Sequence, residues 1–197
     1  MRHLVYSLLL MAALVGSDPS PAKAAQEITV AAASDLNFAF KELTSLFEQT
    51  TGIHVKLSLG SSGNFFSQIQ NGAPYDLYFS ADSRYPQKLV ESGHAVASSL
   101  YIYAVGRIVL WVPRQSPWQI EQRGLDVLLD PTVKKIAIAN PKHAPYGRAA
   151  VAAMEQAQVY ERVKDKLVLG ENISQTAQFV ESGAADIGII ALSLALA

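Results

Sequence analysis

Three strand–turn–helix units follow one another between residues 28 and 93, and this repetition constrains the fold more than any other feature of the sequence. Short apolar runs at 28–33, 54–59 and 76–79 are each followed by a polar turn and then by apolar residues at helical spacing. Successive units of this kind require right-handed crossovers and a parallel sheet. We therefore predict an α/β fold in which helices flank mostly parallel sheets.

The turn at residues 60–64 (Gly-Ser-Ser-Gly-Asn) has the composition of an anion-binding loop. Backbone N–H groups and the positive end of the helix dipole would face this turn, and the serine hydroxyls would add further donors. Taken alone, the turn fits an ordinary helix N-cap equally well. Similar strand-to-helix turns occur at Ser34, Tyr146 and Ile173. Because ligands of parallel sheets lie beyond the carboxyl ends of the strands, we predict that these turns converge on one bound oxyanion.

Residues 1–24 are predicted to be a signal peptide. A basic start is followed by an apolar run at 4–15 and by an Ala-x-Ala cleavage pattern at 22–24. The apolar run is too short to span a membrane. The chain contains no cysteine, which suits an exported protein of the bacterial periplasm that folds without disulfides. Its net charge of −1 offers no attraction to nucleic acid.

Two extended runs, at 101–105 and 108–112, flank Gly106 with no helix between them. We interpret them as strands that leave one lobe (25–105) and enter a second lobe (106–191), and an ordinary hairpin within one domain is the alternative. Residues 192–197 would begin the return of the chain to lobe one. We therefore expect lobe one to be incomplete and the sequence to be truncated at this point.

Local patterns give the remaining elements. In lobe one, Ser34 and Asp35 are N-cap candidates for a helix that ends at Gly52. The pattern of lobe two predicts strands at 135–139, 167–169 and 186–191 and helices at 125–129, 148–158 and 176–180.

The sequence gives little support to catalysis, and we predict that the protein is not an enzyme. The turn at 60–64 does not match the G-x-S-x-G nucleophile motif. The histidines at 54, 94 and 143 are scattered, and we expect each to lie on the surface. A serine-dependent hydrolase would need a base beside Ser62. The acidic residues are isolated at the ends of elements, where capping explains them better than cation binding.

An oxyanion fits the donor groups better than these alternatives. Serine hydroxyls and backbone N–H groups are neutral donors, and they favour a fully deprotonated species such as molybdate, tungstate or sulfate. Hydrogen phosphate would need an acceptor for its proton. We expect the Asp35 carboxylate to point away from the ligand, so that Asp35 offers only its backbone N–H.

Six ordered motifs resemble the periplasmic molybdate-binding proteins of ABC-type transporters. They are AAASDL at 31–36, GSSG at 60–63, NGAPYD at 71–76, FSAD at 79–82, NP with APYG at 140–147, and SGAADIG at 182–188. The resemblance implies a two-lobed, type II periplasmic-binding-protein fold. It also implies a monomer that carries molybdate or tungstate, without a cofactor, to an ABC permease in the inner membrane. The sequence does not separate molybdate from tungstate, because the two ions have nearly the same size and charge.

The same resemblance places the ligand contacts on Ser34, Asp35, Ser62, Tyr146 and Ile173. Ser34 and Ser62 would use a hydroxyl and an N–H, and the other three would use backbone N–H groups. All of them would contact oxygens of the oxyanion and none would bind a metal directly.

One departure from the family pattern concerns the tyrosine of the site. A large branch of the family has alanine in place of Tyr146 and a ligand-contacting tyrosine in place of Ala191. We therefore predict that the Tyr146 phenol acts as a donor to the oxyanion in this chain.

Other functions remain open at this stage. A receptor for sulfate, phosphate or another anion is the nearest alternative. An effector-sensing module of a transcription regulator is disfavoured by the predicted signal peptide, and a hydrolase by the lack of a partnered base.

Overall fold

The computed structural model describes residues 26–197, and two β-sheets organise them. The predicted signal peptide lies outside the described residues. The first sheet has the order β2-β1-β3 with all strands parallel. Its strands are β1 (Glu27–Ala33), β2 (His54–Gly60) and β3 (Leu77–Phe79).

The second sheet has the order β4-β7-β5-β6. Strand β5 is parallel to both β6 and β7, and β4 is antiparallel to β7. Its strands are β4 (Ile108–Trp111), β5 (Ile136–Ala139), β6 (Leu167–Gly170) and β7 (Ile187–Ala191). The predicted α/β fold with parallel-dominated sheets is confirmed.

Helices cover both sheets and fill the connections. The α-helices are α1 (Asn37–Thr51), α2 (Ser62–Gln70), α3 (Arg84–Glu91), α4 (Ile120–Arg123), α5 (Pro145–Gln156), α6 (Tyr160–Val163), α7 (Ile173–Glu181) and α8 (Leu192–Ala195). Short 3-10 helices cover Ser34–Leu36, Ala97–Ser99, Gly124–Leu129 and Lys164–Lys166. Within residues 26–197, no helix has the length and apolar character needed to cross a bilayer.

Several predicted boundaries are confirmed, and the exceptions have local causes. Helix α1 ends where predicted, because Gly52 adopts a φ of 70° and its N–H donates a hydrogen bond to the Glu48 carbonyl. Helix α5 begins at Pro145, earlier than predicted, since proline is well suited to the first helical position. Helix α7 also begins earlier, at Ile173, where the Asn172 side chain caps it.

Two predictions about local structure are wrong. Ser34 and Asp35 do not cap α1, because they form a 3-10 turn of their own that precedes it. The run at 101–105 is not a strand, since no described strand lies beside it to complete a ladder. Tyr101 and Val105 instead face solvent and are 80% and 85% exposed, whereas Tyr103 packs against Phe79 and donates to the Ser80 carbonyl at 2.9 Å. The chain passes from the first sheet to the second between Phe79 and Ile108, and the division into lobes at residue 105 stays a prediction.

The larger core belongs to the second sheet. Its buried cluster comprises Val127, Leu128, Val133, Ile136, Ile138, Ala150, Met154, Val159, Val163, Ile187 and Ile189. The buried cluster of the first sheet contains only Val30, Ala32 and Phe40. Apolar side chains of α1, such as Phe38 and Leu46, remain exposed.

Candidate functional site

One small cavity brings together all five residues predicted as ligand contacts. A cavity of about 10 Å³ is lined by Ser34, Asp35, Ser62, Tyr146 and Ile173, among other residues. Each follows the carboxyl end of a strand, since β1, β2, β5 and β6 all run toward this point. These turns therefore lie at one cavity, and the binding of an oxyanion there stays a prediction.

Ser62 begins α2 and presents a hydroxyl that is almost fully buried. It is 1% exposed, and its Oγ accepts a 3.0 Å hydrogen bond from the Ala81 N–H. The Ser62 carbonyl accepts a 2.7 Å bond from the Tyr78 hydroxyl. In the described part of the chain, the Ser62 hydroxyl proton has no acceptor. This hydroxyl is therefore held in place with its proton available to a ligand.

Three backbone N–H groups lie at the same cavity. Ser62, Tyr146 and Ile173 occupy the first turns of α2, α5 and α7, where an N–H group has no partner inside its own helix. The hydrogen bonds among residues 26–197 leave these three N–H groups without an acceptor. Three helix dipoles thus bring their positive ends to one point, which favours a negatively charged ligand.

Ser34 connects the two halves of the cavity. Its Oγ donates to Asn172 Oδ1 at 3.1 Å and accepts from the Ser174 N–H at 3.2 Å. The Ser174 hydroxyl donates to the Ser34 carbonyl at 2.8 Å. In this conformation the Ser34 hydroxyl is therefore engaged with the N-terminus of α7.

Asp35 and Tyr146 form a buried pair that the sequence did not predict. The Tyr146 hydroxyl donates a 2.9 Å hydrogen bond to Asp35 Oδ2. The Asp35 carboxylate therefore accepts a hydrogen bond from a residue that also lines the cavity. Burial raises the pKa of Asp35, and the hydrogen bond from Tyr146 offsets part of this rise. The phenol predicted as a donor to the oxyanion donates to Asp35 instead.

Gly106 and Ala191 make room for this tyrosine. A Cβ at Gly106 would lie closer to the Tyr146 hydroxyl oxygen than van der Waals contact allows, so the glycine lets this tyrosine approach the backbone closely. Ala191 is buried in the same apolar cluster as Tyr146. A large side chain at 146 and a small one at 191 therefore share one region of the site. The departure from the family pattern at Tyr146 and Ala191 indicated this arrangement in the sequence. No feature of the sequence indicated the role of Gly106.

His143 is not the surface residue that we expected. Its Nδ1 lies 2.9 Å from Ser61 Oγ, and its Nε2 lies 3.6 Å from Glu171 Oε2. The Ser61 hydroxyl donates its proton to the His143 carbonyl at 2.8 Å. A serine nucleophile would direct its proton to the imidazole. The Ser61 proton is directed to a carbonyl oxygen instead. Ser62, the serine of the candidate site, contacts neither ring nitrogen of His143.

A second set of contacts joins the two sheets beside the cavity. Arg148 of α5 donates to Asp82 Oδ2 at 2.7 Å and to the Tyr85 hydroxyl at 3.0 Å. Its guanidinium lies 5.1 Å from the centre of the Tyr85 ring. The Gly63 N–H donates to the His143 carbonyl at 2.8 Å. These contacts hold α5 of the second sheet against the turns of the first sheet.

The arrangement is chemically suited to an anion. The cavity offers N–H and O–H donors, and none of the residues that line it is basic. Over the described range, no group of three or more His, Cys, Asp or Glu side chains is placed to hold a metal ion. Neutral donors of this kind can hold a compact oxyanion without an ion pair.

Comparisons with known proteins agree with this chemistry. A family model described as bacterial extracellular solute-binding protein matches residues 28–197. The molybdate-binding protein ModA of Azotobacter vinelandii is 44% identical over 169 residues, which are 86% of this chain and 66% of the relative. ModA of Rhodobacter capsulatus is 41% identical over 170 residues, again 86% of this chain and 66% of the relative. The chain thus spans slightly less than two thirds of these curated relatives.

Solved structures show the same fold. The periplasmic molybdate-binding protein of Azotobacter vinelandii matches with a TM-score of 0.78 and 35% identity, over 84% of this chain and 71% of that one. The sulfate-binding protein SubI of Mycobacterium tuberculosis matches with a TM-score of 0.68 and 18% identity, over 84% of this chain and 64% of that one. At that identity, the second match concerns the fold alone.

Proposed function

This chain belongs to the family of bacterial extracellular solute-binding proteins, and on that premise we propose that it captures molybdate or tungstate as a tetrahedral oxyanion. Two relatives above 40% identity are named molybdate-binding proteins. The proposed ligand contacts are Ser34, Asp35, Ser62, Tyr146 and Ile173, which all line one cavity.

The observation that carries this proposal is the convergence of unpartnered donors. The N–H groups of Ser62, Tyr146 and Ile173 and the hydroxyl of Ser62 meet at the cavity. A tetrahedral oxyanion presents acceptor oxygens in four directions, so donors arriving from three helices can bind it at the same time. A dianion gains from each of the three helix dipoles.

The proposed cellular role is the capture of the oxyanion in the periplasm and its delivery to an ABC permease of the inner membrane. The fold match to a periplasmic molybdate-binding protein supports this role. We propose that the protein acts as a monomer and as a carrier, with no catalytic residues. Among the described residues no histidine ring nitrogen is hydrogen-bonded to Ser62, and this observation argues against a serine hydrolase.

Hydrogen phosphate is a second candidate ligand, and one observation favours it. Asp35 lines the cavity, and its Oδ1 has no hydrogen-bond partner among residues 26–197. An ionised Asp35 would accept the proton that hydrogen phosphate carries. The similarity to two named molybdate-binding proteins favours molybdate over this candidate.

Calorimetric titration of the purified protein with molybdate, tungstate, sulfate and phosphate tests the proposal. We expect saturable heats with molybdate and tungstate, and weaker heats or none with sulfate and phosphate. Absence of heat with both molybdate and tungstate would contradict the proposal. A saturable heat with phosphate alone would support the second candidate.

A further inference from the structure

The two oxygens of the Asp35 carboxyl differ in their hydrogen bonds. Oδ2 accepts the hydrogen bond from Tyr146. Among the residues that the structure describes, Oδ1 is the one buried side-chain polar atom without a partner. Asp35 is 9% exposed and lines the cavity together with Ser62 and Ile173. A buried polar atom without a partner is costly, so its presence at a binding site needs an explanation.

The groups that act on this carboxyl from α5 and from the segment before β4 are tyrosines. Tyr146 donates to Asp35, and Tyr103 lies close enough for the Asp35 charge to affect its titration. Burial raises the pKa of both phenols, so both are neutral near pH 7. Neither therefore brings a positive charge to Asp35, and only the hydrogen bond from Tyr146 favours its ionised form.

The other elements packed against Asp35 bring no compensating charge to it. Helix α8 contributes the Ser193 hydroxyl, which donates to the Asp35 carbonyl at 3.1 Å. Helix α7 contributes the Ser174 hydroxyl, which donates to the carbonyl of the neighbouring Ser34. Strand β2 ends at Gly60, which lines the same cavity as Asp35. Helix α1 carries Lys41 and Glu42, whose side chains are exposed to solvent.

We propose that Asp35 takes up one proton on Oδ1 when the oxyanion binds, an inference that rests on the function proposed above. An ionised carboxylate and a dianion in one buried cavity repel each other strongly. Groups coupled in this way titrate together, and one of them accepts a proton at a higher pH than it would alone. The proton comes from solvent, one O–H bond forms at Oδ1, and Oδ2 keeps its hydrogen bond from Tyr146.

Protonation makes Asp35 a specificity-determining residue. A neutral Asp35 donates a hydrogen bond to a fully deprotonated oxyanion, which has only acceptors. Hydrogen phosphate brings a proton of its own and would donate it to the ionised carboxylate, with no uptake from solvent. The number of protons taken up therefore distinguishes the two classes of ligand.

The sign of the pH dependence follows from proton uptake. Affinity rises as pH falls between the pKa of Asp35 in the free protein and its higher pKa in the complex. Within that window the affinity changes by up to about tenfold per pH unit. Below the pKa of the free protein, this group contributes no further pH dependence.

Calorimetry with sodium molybdate, in buffers that differ in ionisation enthalpy, measures the protons taken up. Titrations at a series of pH values locate the window. We expect an uptake approaching one proton per molybdate for the natural chain, and none for Asp35→Asn, whose amide oxygen still accepts from Tyr146. The matched control is His143→Gln, which removes the titratable ring beside Ser61 and should keep the uptake.

The outcomes separate this inference from the proposed function. Molybdate binding without proton uptake at any pH, or equal uptake by Asp35→Asn, would overturn the inference and leave the proposed function standing. No binding heat at all would overturn both. If Asp35→Asn fails to fold, the carboxyl carbon NMR signal of Asp35 decides, because molybdate should shift it toward the protonated position. An unchanged signal would overturn the inference.

Discussion

Ser62 has the most direct part in the proposed site, because it offers both a hydroxyl proton and a backbone N–H to the cavity. The Ala81 N–H fixes the position of its Oγ, so little side-chain freedom is lost when a ligand binds. The sequence predicted this residue because the turn at 60–64 joins a strand to a helix through small and hydroxyl-bearing residues.

Substitution of Ser62 by alanine should weaken oxyanion binding. Loss of a hydrogen bond to a charged group costs about 1 to 3 kcal/mol, and the protein should remain folded. The measurement is a calorimetric titration with molybdate. Ser67→Ala on the same helix is the control, because Ser67 donates to the Gly63 carbonyl and does not line the cavity. Equal affinities for the two variants would show that the Ser62 hydroxyl does not contact the ligand.

Other residue-scale features were beyond reach of the sequence. The Asp35 and Tyr146 pair, the contact of His143 with Ser61 and the role of Gly106 all join residues far apart in the chain. Strand and helix patterns indicate where a turn lies but not which side chain of a distant turn faces it. The meeting of the four turns at one cavity was more predictable, because the ends of parallel strands meet at one edge of a sheet.

At the scale of elements, α5 connects the second sheet to the first. Arg148 pairs with Asp82 in the turn after β3, and both side chains are 26% exposed. The neighbouring Tyr146 belongs to the same helix and lines the cavity. The ion pair therefore holds the first turn of α5 in position over the ligand site.

Replacing Arg148 by methionine should speed the release of the oxyanion. A half-buried pair of this kind contributes about 1 kcal/mol, which corresponds to an about fivefold faster dissociation. Stopped-flow fluorescence, using the protein's own tryptophans, measures the dissociation rate. Arg148→Lys should recover part of the effect, and Arg162→Met, at an exposed position of α6, is the control. Equal rates for Arg148→Met and Arg162→Met would exclude this role for the pair.

A carboxylate also ties β1 to the start of β3. Asp76 Oδ2 accepts from the Thr29 N–H at 2.7 Å and from the Thr29 hydroxyl at 2.8 Å. These bonds to Thr29 lower the pKa of Asp76 below its usual value. Its contribution to stability is therefore fully present above the unfolded pKa and is lost as pH falls through the folded pKa.

Asp76→Asn should lower the melting temperature near neutral pH, and the difference from the natural chain should shrink as pH approaches about 3. Thermal unfolding followed by circular dichroism at a series of pH values measures this dependence. Asp126→Asn, at an exposed position, is the matched control. A difference that stays constant with pH would show that the Asp76 charge does not stabilise the sheet.

At the scale of the molecule, the two sheets differ in how much apolar surface they bury. Strand β5 is fully buried along its length, whereas residues of β2 are only partly buried or exposed. The sequence predicted the seven strands and the longer helices of both halves because their apolar periodicity is clear, and it missed the short helices α4 and α6. It did not predict that residues 101–105 would lie exposed, because a strand-like pattern forms a ladder only where a partner strand is present.

Amide hydrogen exchange should reflect this difference. We expect the amides of β5 and β7 to exchange more slowly than those of β2, since opening the second sheet exposes the larger core. Mass spectrometry of peptides from each strand measures the rates. Equal protection in the two sheets would contradict the expected difference in stability.

Anomalous diffraction at the molybdenum absorption edge, from crystals of the protein with molybdate, would locate the bound oxyanion. We expect one molybdenum peak in the cavity. Its oxygens should lie within about 3.2 Å of Ser62 Oγ and of the backbone nitrogens of Tyr146 and Ile173. A peak elsewhere in the molecule, or a bound ion whose oxygens contact none of these groups, would contradict the proposed site.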